Sequence, residues 1–559
     1  MDSQDICNIA AALPRMAQER PDAIAIRCPT GSSADGKVEY GIALTYRELD
    51  ERSSRIAAAL AGAGIVRGTK TALMVRPSPE LFLLMFALFK AGAVPVLIDP
   101  GIARSALKQC LAEAAPEAFV GIPLAQAARV VLGWAKDSCR IAVTVGGRRW
   151  FWRGPTLDEL LEQHGSDAFA PAPTQGEDIA AILFTSGSTG VPKGVVYRHR
   201  HFVAQVEMLG RAFGIETGGV NLPTFPPFAL FDPALGTTSV IPDMDPTRPA
   251  NADPRKLISA IEQFGVTQMF GSPALLDTLS RHGIAHGVKL ATVKRVLSAG
   301  APVPADVVAR MQELLPDDAR IFTPYGATEC LPVAVIEGRE LRQTHEATES
   351  GAGTCVGKPV PPNVVRLIRI SDEPIAQWRD DLQVALGEVG EIVVAGPSVT
   401  DAYHERPQAT AAAKIRETLP DGSERILHRM GDVGWFDEQG RLWFCGRKSQ
   451  RVETVAGPLY TEQIEPVFRT HPQVRRTALV GVGEFGRQTP VLCVELEPQV
   501  PKSERARIER ELRGIGRTHE RTAGIDVFLF HPKFPVDIRH NAKIGREALS
   551  QWATAQLRR

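Results

Sequence analysis

The sequence predicts an α/β protein with largely parallel sheets, followed by a smaller second unit. Apolar strand-like runs at 71–75, 118–121, 268–270 and 293–298 alternate with stretches of helical period, the pattern of strands joined by crossover helices. A hairpin-like segment, Gly440-Arg441-Leu442-Trp443-Phe444-Cys445-Gly446, is followed by about 110 residues with apolar runs of their own, enough for a small domain. A boundary at 446 therefore divides the chain into 1–446 and 447–559. Its length of 559 residues fits about two to four domains. Pro- and Gly-rich breaks fall near 170–176, 220–253 and 351–363, and no long internal repeat is present.

The N-terminal residues Met1-Asp2-Ser3-Gln4-Asp5 are acidic and lead into no long apolar core, so no signal peptide is expected. The most hydrophobic run, Leu81 to Phe89 closed by Lys90, falls short of the roughly 20 residues that span a bilayer. It reads as a buried helix, stopped at Gly92 and followed by a buried strand over 94–98, with no transmembrane segment expected. The 64 Lys and Arg balance 64 Asp and Glu, so no global field recruits nucleic acid or an anionic membrane. An apolar content of 44% and a charged content of 23% suit a globular enzyme. The eight cysteines are scattered without a Cys-x-x-Cys pair, which points to reduced thiols in a cytoplasmic protein instead of a zinc or disulfide framework.

The apolar run 179–183 feeds Phe184-Thr185-Ser186-Gly187-Ser188-Thr189-Gly190-Val191-Pro192-Lys193-Gly194. A buried strand ending in small hydroxylated residues and glycines lets backbone N–H groups and hydroxyls approach phosphate oxygens. Lys193 adds a compact positive charge. Pro192 and Gly194 on either side of Lys193 exclude the Gly-Lys-Ser/Thr ending of a P-loop.

The string Thr-Ser-Gly-Ser-Thr-Gly-x-Pro-Lys-Gly resembles the phosphate-loop signature of adenylate-forming enzymes: acyl- and aryl-CoA synthetases, adenylation domains of peptide synthetases, and luciferases. Other segments carry the same resemblance. Tyr325-Gly326-Ala327-Thr328-Glu329 is similar to the family's Tyr-Gly-x-Thr-Glu. An aromatic face there can stack on a base, Gly326 permits close backbone approach, Thr328 can bond a phosphate oxygen, and Glu329 offers a hard oxygen ligand to Mg²⁺. Ser298-Ala299-Gly300-Ala301-Pro302 looks like the adenine-side turn, with Gly300, Ala301 and Pro302 against the nucleotide. His428-Arg429-Met430-Gly431-Asp432 is similar to Tyr-Arg-Thr-Gly-Asp, which assigns Asp432 to the ribose hydroxyls. Gly446-Arg447-Lys448-Ser449 resembles the hinge motif, with Arg447 on the ribose and Ser449 as pivot.

The resemblance covers about residues 20 to 550 and implies a large N-terminal domain of mixed and parallel sheets flanked by helices, with a small mobile α+β C-terminal lid. It implies ATP and Mg²⁺ as cofactors. Thr185, Ser186, Gly187, Ser188, Thr189, Gly190 and Lys193 would hold phosphates, and Thr185, Glu329 and Lys543 would form the catalytic set. Lys543, in Arg539-His540-Asn541-Ala542-Lys543-Ile544, corresponds to the adenylation lysine, which offsets the repulsion between a carboxylate and the α-phosphate it attacks. The charge-rich 503–522 reads as a solvated helix. Tyr197, His199 and His201, in an expected helix, read as helix-surface or pocket-wall residues.

The acyl pocket of the resemblance falls on Phe228, Ala229 and Phe231, an apolar wall suited to an alkyl chain. The segments 7–10, 231–236 and 539–544 look like one subgroup, the β-lactone synthetases of bacterial long-chain olefin biosynthesis. That resemblance implies a 2-alkyl-3-hydroxy fatty acid as substrate, activated by ATP and closed to a β-lactone by its own β-hydroxyl. It leaves room for assembly with the pathway's β-lactone decarboxylase and NADPH-dependent reductase. Two alternatives stand beside it: a medium- or long-chain fatty acyl-CoA synthetase, and a catalytically silent nucleotide-binding scaffold.

Overall fold

The computed structural model describes residues 7–33, 37–99, 101–102, 104–165, 169–185, 192–536 and 544–558. Among them, a six-stranded sheet runs in the order Lys193–Arg198, Ile179–Thr185, Val94–Ile98, Lys70–Met74, Ala118–Gly121 and Ile141–Thr144. All neighbours are parallel except Lys193–Arg198, which pairs antiparallel with Ile179–Thr185. Helices Pro79–Lys90, Arg104–Ala114 and Pro123–Leu132 make the crossovers, as parallel strands require. The apolar run at 81–89 is the first of these. Pro79 opens it, Gly92 at φ +66° ends it, and every side chain from Phe82 to Phe89 is buried. Lys90 is buried too, its ammonium held by the Asp50 carboxylate at 2.6 Å and by Ser53 and Ser54 at 2.9 Å.

The larger sheet has 14 strands among the described residues. Its centre is parallel: Thr238–Val240, Val220–Pro223, Gln268–Phe270, Arg295–Leu297 and Arg320–Ala327. Two of these strands lie inside the stretch 220–253 that its prolines and glycines mark as a break. From Cys330–Glu337 onward the pairing is antiparallel, through Thr354–Pro359, Leu442–Arg447, Glu424–Phe436, Gly390–Ala395 and Val364–Ile368. The mixed and parallel sheets expected are present: parallel strands predominate before residue 328, while from Cys330 to Arg447 antiparallel strands extend the larger sheet. The hairpin-like segment at 440–446 is the second strand of one such hairpin, paired with Glu424–Phe436.

Beyond Arg447 a short turn, Lys448–Gln450, precedes a separate three-stranded sheet of Val474–Val482, Thr489–Leu496 and Val527–Phe530. Ile464, Phe468, Leu492, Ile508, Leu512 and Phe528 form a core of their own there. The helix Arg505–Arg517 lies within the stretch read as helical. Among the described residues no helix is long and apolar enough to cross a membrane.

Candidate active site

Two hairpins bring the sequence-predicted residues together. The first is Arg320–Ala327 with Cys330–Glu337, in which Ala327 pairs with Cys330 and Thr328 and Glu329 form the tip. A Cβ at Gly326 would come within 2.9 Å of the Cys330 carbonyl oxygen, so this close turn admits only glycine without a backbone shift. The second hairpin sets Asp432 directly opposite Arg447.

The two hairpins meet at Asp432. Tyr325 donates its hydroxyl to Asp432 Oδ2 at 2.6 Å. Arg447 Nη1 lies 3.1 Å from Oδ1, within ion-pair range, yet no N–H is aligned on that oxygen, which is buried and accepts no hydrogen bond. Burial pushes the Asp432 carboxyl up, and Arg447 and Tyr325 oppose the shift. Burial and the Asp432 charge push the Tyr325 phenol well above its ordinary value. A buried carboxylate oxygen without a donor has an unmet requirement. A hydroxyl donor such as a ribose carries would meet it, so the residues present fit a nucleoside.

The turn bearing Gly300, Ala301 and Pro302 follows Arg295–Leu297, a parallel neighbour of the Tyr325 strand. Ser298 N–H bonds Phe322 O at 2.9 Å, and Gly300 adopts φ +96°. This fixes the turn beside Arg320–Ala327.

Thr185 and Lys193 end and begin adjacent strands and are register partners. Ser186, Gly187, Ser188, Thr189 and Gly190 between them lie outside the described residues, as does Lys543. Lys193 Nζ sits 5.0 Å from the ring centroid of Tyr403, and Tyr403 donates its hydroxyl to Glu329 Oε1 at 2.6 Å. Burial and the Glu329 charge push the Tyr403 phenol upward. Tyr403 is one residue the sequence reading missed. Its segment is stitched to the Lys193 strand by Val196 N to Ala402 O at 3.1 Å and His404 N to Gly194 O at 2.7 Å, so it couples the smaller sheet to the Glu329 hairpin. The sequence marks it with no motif, only a lone aromatic after Asp401.

Tyr197 corrects another expectation. It lies on the strand Lys193–Arg198 and not in a helix, and it donates its hydroxyl to the Thr328 carbonyl. His199 and His201 do lie on a helix, His199–Phe213, but both are fully buried instead of facing solvent. Burial pushes their pKa values down to about 4 and about 3.

Phe228 packs edge-on against Phe270 at 4.6 Å, and Phe231 meets Phe202 at 6.2 Å. Phe202 in turn stacks on Tyr197 at 4.6 Å. The aromatic wall is therefore contiguous with the Thr328–Glu329 tip. Ala229 is fully buried in the hydrophobic core. A second residue the sequence reading missed, Asp232, pins this wall to the sheet. Its carboxylate accepts from Asn221 at 3.0 and 2.9 Å, from Thr237 at 3.1 Å and from Ser239 at 2.5 Å, while burial raises its pKa to about 6.

Ser449 lies in the turn Lys448–Gln450. Lys448 Nζ holds this turn to Ser371 O at 2.7 Å and Glu391 Oε1 at 3.1 Å. On the other side, Arg546 Nε donates to Gln450 Oε1 at 3.0 Å while its guanidinium pairs with Glu465.

Residues 13–404 match the family model for AMP-binding enzymes. The chain is 66% identical over 552 residues to an olefin beta-lactone synthetase of Stenotrophomonas maltophilia (strain K279a), covering 99% of each. It is 64% identical over 552 residues to an olefin beta-lactone synthetase of Xanthomonas campestris pv. campestris, covering 99% of this chain and 98% of that one. In fold it is similar to an amide bond synthetase from Marinactinospora thermotolerans, with a TM-score of 0.75 at 23% identity over 97% of this chain and 99% of that one.

Proposed function

The chain belongs to the family of AMP-binding enzymes, and from that premise we propose that it activates a long-chain 2-alkyl-3-hydroxy fatty acid with ATP and closes it to a β-lactone. The substrate carboxylate attacks the α-phosphate and pyrophosphate leaves. The substrate's β-hydroxyl then attacks the acyl carbonyl, AMP leaves with the C–O bonding pair, and the hydroxyl proton is lost. Activation supplies the leaving group that a free carboxylate lacks and offsets the strain of a four-membered ring. The nucleophile is tethered to the carbonyl it attacks, so proximity favours closure without an external thiol.

The nucleotide half rests on one observation above the rest, the buried Asp432 Oδ1 without a hydrogen-bond donor. Asp432 and Arg447 orient the ribose, Tyr325 and the turn 300–302 flank the base, and residues 185–190 with Lys193 take the phosphates. Glu329, braced by Tyr403, holds Mg²⁺, an ion that keeps phosphate and water as its other ligands. Thr185 and Lys543 complete the catalytic set. The lactone half rests on the near-full-length likeness to the two olefin beta-lactone synthetases. We include in this reading the division at 446/447 with Ser449 as hinge, a cytoplasmic location, and assembly with a β-lactone decarboxylase and an NADPH-dependent reductase of olefin biosynthesis.

Product analysis after incubation with Mg-ATP and a 2-alkyl-3-hydroxy fatty acid, with and without CoA, tests this. The expected product forms without CoA, is lighter than the acid by one water and shows a strained-lactone carbonyl stretch. A product that forms only with CoA and has a thioester's mass would make the chain an acyl-CoA synthetase.

A further inference from the structure

The edge of the six-stranded sheet farthest from Lys193 carries an exposed apolar patch. The helix Pro123–Leu132 leaves Leu124, Val131 and Leu132 exposed at 61, 72 and 46%. Beside its end, a loop after the edge strand Ile141–Thr144 leaves Trp150 and Phe151 exposed at 61 and 60%. Val130 of the helix and Phe151 of the loop line one surface cleft of about 370 Å³, so helix and loop form a single surface. Contiguous exposed aliphatic and aromatic side chains differ from the singly scattered ones of an ordinary surface.

The loop is braced in this position. Trp152 is buried and donates its indole N–H to Thr144 Oγ1 at 2.9 Å. Arg149 donates to Gly154 O and pairs with Glu159, both at 2.7 Å. These anchors fix the turn with its two neighbouring aromatics outward, and among the described residues they stay exposed.

The charge around the patch is one-sided. Residues 124–153 contain Arg129, Lys136, Arg140, Arg148, Arg149 and Arg153 against a single acid, Asp137, in a chain whose formal net charge is zero. Arg140, Arg148 and Arg153 are exposed, and Arg140 and Arg153 line the same cleft as Phe151. Exposed Trp and Phe amid arginines, of which Arg149 is paired with Glu159, is the composition of an interfacial anchor, in which rings enter the headgroup boundary and guanidinium groups pair with lipid phosphates. A second copy of the chain fits less well, because a two-fold contact would set these arginines against themselves.

We propose that this patch docks the protein onto an anionic lipid surface. The four strand intervals separating Ile141–Thr144 from Ile179–Thr185 amount to about 20 Å, so docking through this edge leaves the nucleotide residues facing water. The patch contains no residue assigned to catalysis, so the inference stands apart from the reading of the reaction.

The full chain is sedimented with phosphatidylcholine vesicles and with vesicles that also contain phosphatidylglycerol, at low and high salt. The protein is expected to pellet with the anionic vesicles only, and less at high salt. The double variant Trp150→Asp/Phe151→Asp and the double variant Arg148→Glu/Arg153→Glu should each reduce binding at least about tenfold (about 1.4 kcal/mol). Both should retain the parent's melting temperature and its ATP-dependent pyrophosphate release in vesicle-free solution. No binding by the parent, or undiminished binding by both variants, overturns the proposal. A concentration-dependent dimer that the Trp150→Asp/Phe151→Asp variant dissociates, without vesicle binding, would assign the patch to a second copy and overturn it equally.

Discussion

Tyr325 and Asp432, 107 positions apart in sequence, are joined by a 2.6 Å hydrogen bond that leaves the other Asp432 oxygen buried and unsatisfied. The tyrosine fixes the carboxylate's rotation, and Arg447 compensates its charge without aligning an N–H on it. The free oxygen is thus preorganised for a donor that the protein itself does not provide.

Asp432→Asn keeps the shape and removes the charge. A hydrogen bond to a charged group contributes about 1.5–3 kcal/mol, so the KM for ATP should rise roughly 10- to 100-fold. The parent should discriminate ATP from its 2′,3′-dideoxy analogue, and the variant should lose most of that discrimination. Discrimination equal to the parent's would remove Asp432 from the ribose.

Tyr403→Phe deletes the hydroxyl that Glu329 Oε1 accepts, while keeping a ring beneath Lys193. If Tyr403 positions Glu329 for Mg²⁺, the Mg²⁺ concentration for half-maximal rate should rise several-fold in Tyr403→Phe and further in Glu329→Gln. The melting temperature of Tyr403→Phe should stay near the parent's. Unchanged Mg²⁺ titrations in both variants would count against the assignment.

The site was legible in sequence where chemistry is written in contiguous strings. The Gly326 turn, Glu329, Asp432 and Arg447 each stand in a short motif, and the two hairpins bring them into one place. Tyr403 and Asp232 stand in no motif: Tyr403 reaches Glu329 over 74 positions, and Asp232 is held by Asn221, Thr237 and Ser239, partners close in sequence that only the packing of its short helix on the sheet turns toward it. The fold shows the same division. Helical crossovers leave a periodic trace, so the parallel strands before residue 328 were readable. The antiparallel strands after it depend on register between hairpins, which local periodicity does not encode. Tyr197 was misplaced because it lies near the end of a strand just before the helix that carries His199 and His201; the burial of those two histidines depends on neighbouring elements that local periodicity does not show.

Lys543→Ala should abolish acyl-adenylate formation while leaving ATP binding intact, since the residues proposed for the ribose and phosphates lie in other segments. Substrate-dependent pyrophosphate exchange separates the two. Exchange near the parent's rate would show that another group relieves the repulsion between carboxylate and α-phosphate.

His199 gives stability a pH dependence whose sign follows from its burial. Its Nδ1 accepts the Ile9 N–H at 3.3 Å and its Nε2 is buried without a partner, so the folded state holds it neutral, with a pKa lowered to about 4 from the ordinary 6.5. Between those values the unfolded chain binds the extra proton, so stability is full above about pH 6.5 and falls as the pH drops toward 4. By pH 5 the loss from this one group is about 2 kcal/mol. His199→Asn retains an acceptor for Ile9 and removes the titration. The variant should be less stable than the parent at pH 8, where only its lost ring packing counts, and the deficit should shrink as the pH falls to 5. Urea midpoints for both proteins across that range measure the difference, in which His201 and every other titrating group cancel; a deficit constant with pH would mean that His199 does not titrate on unfolding as its burial demands.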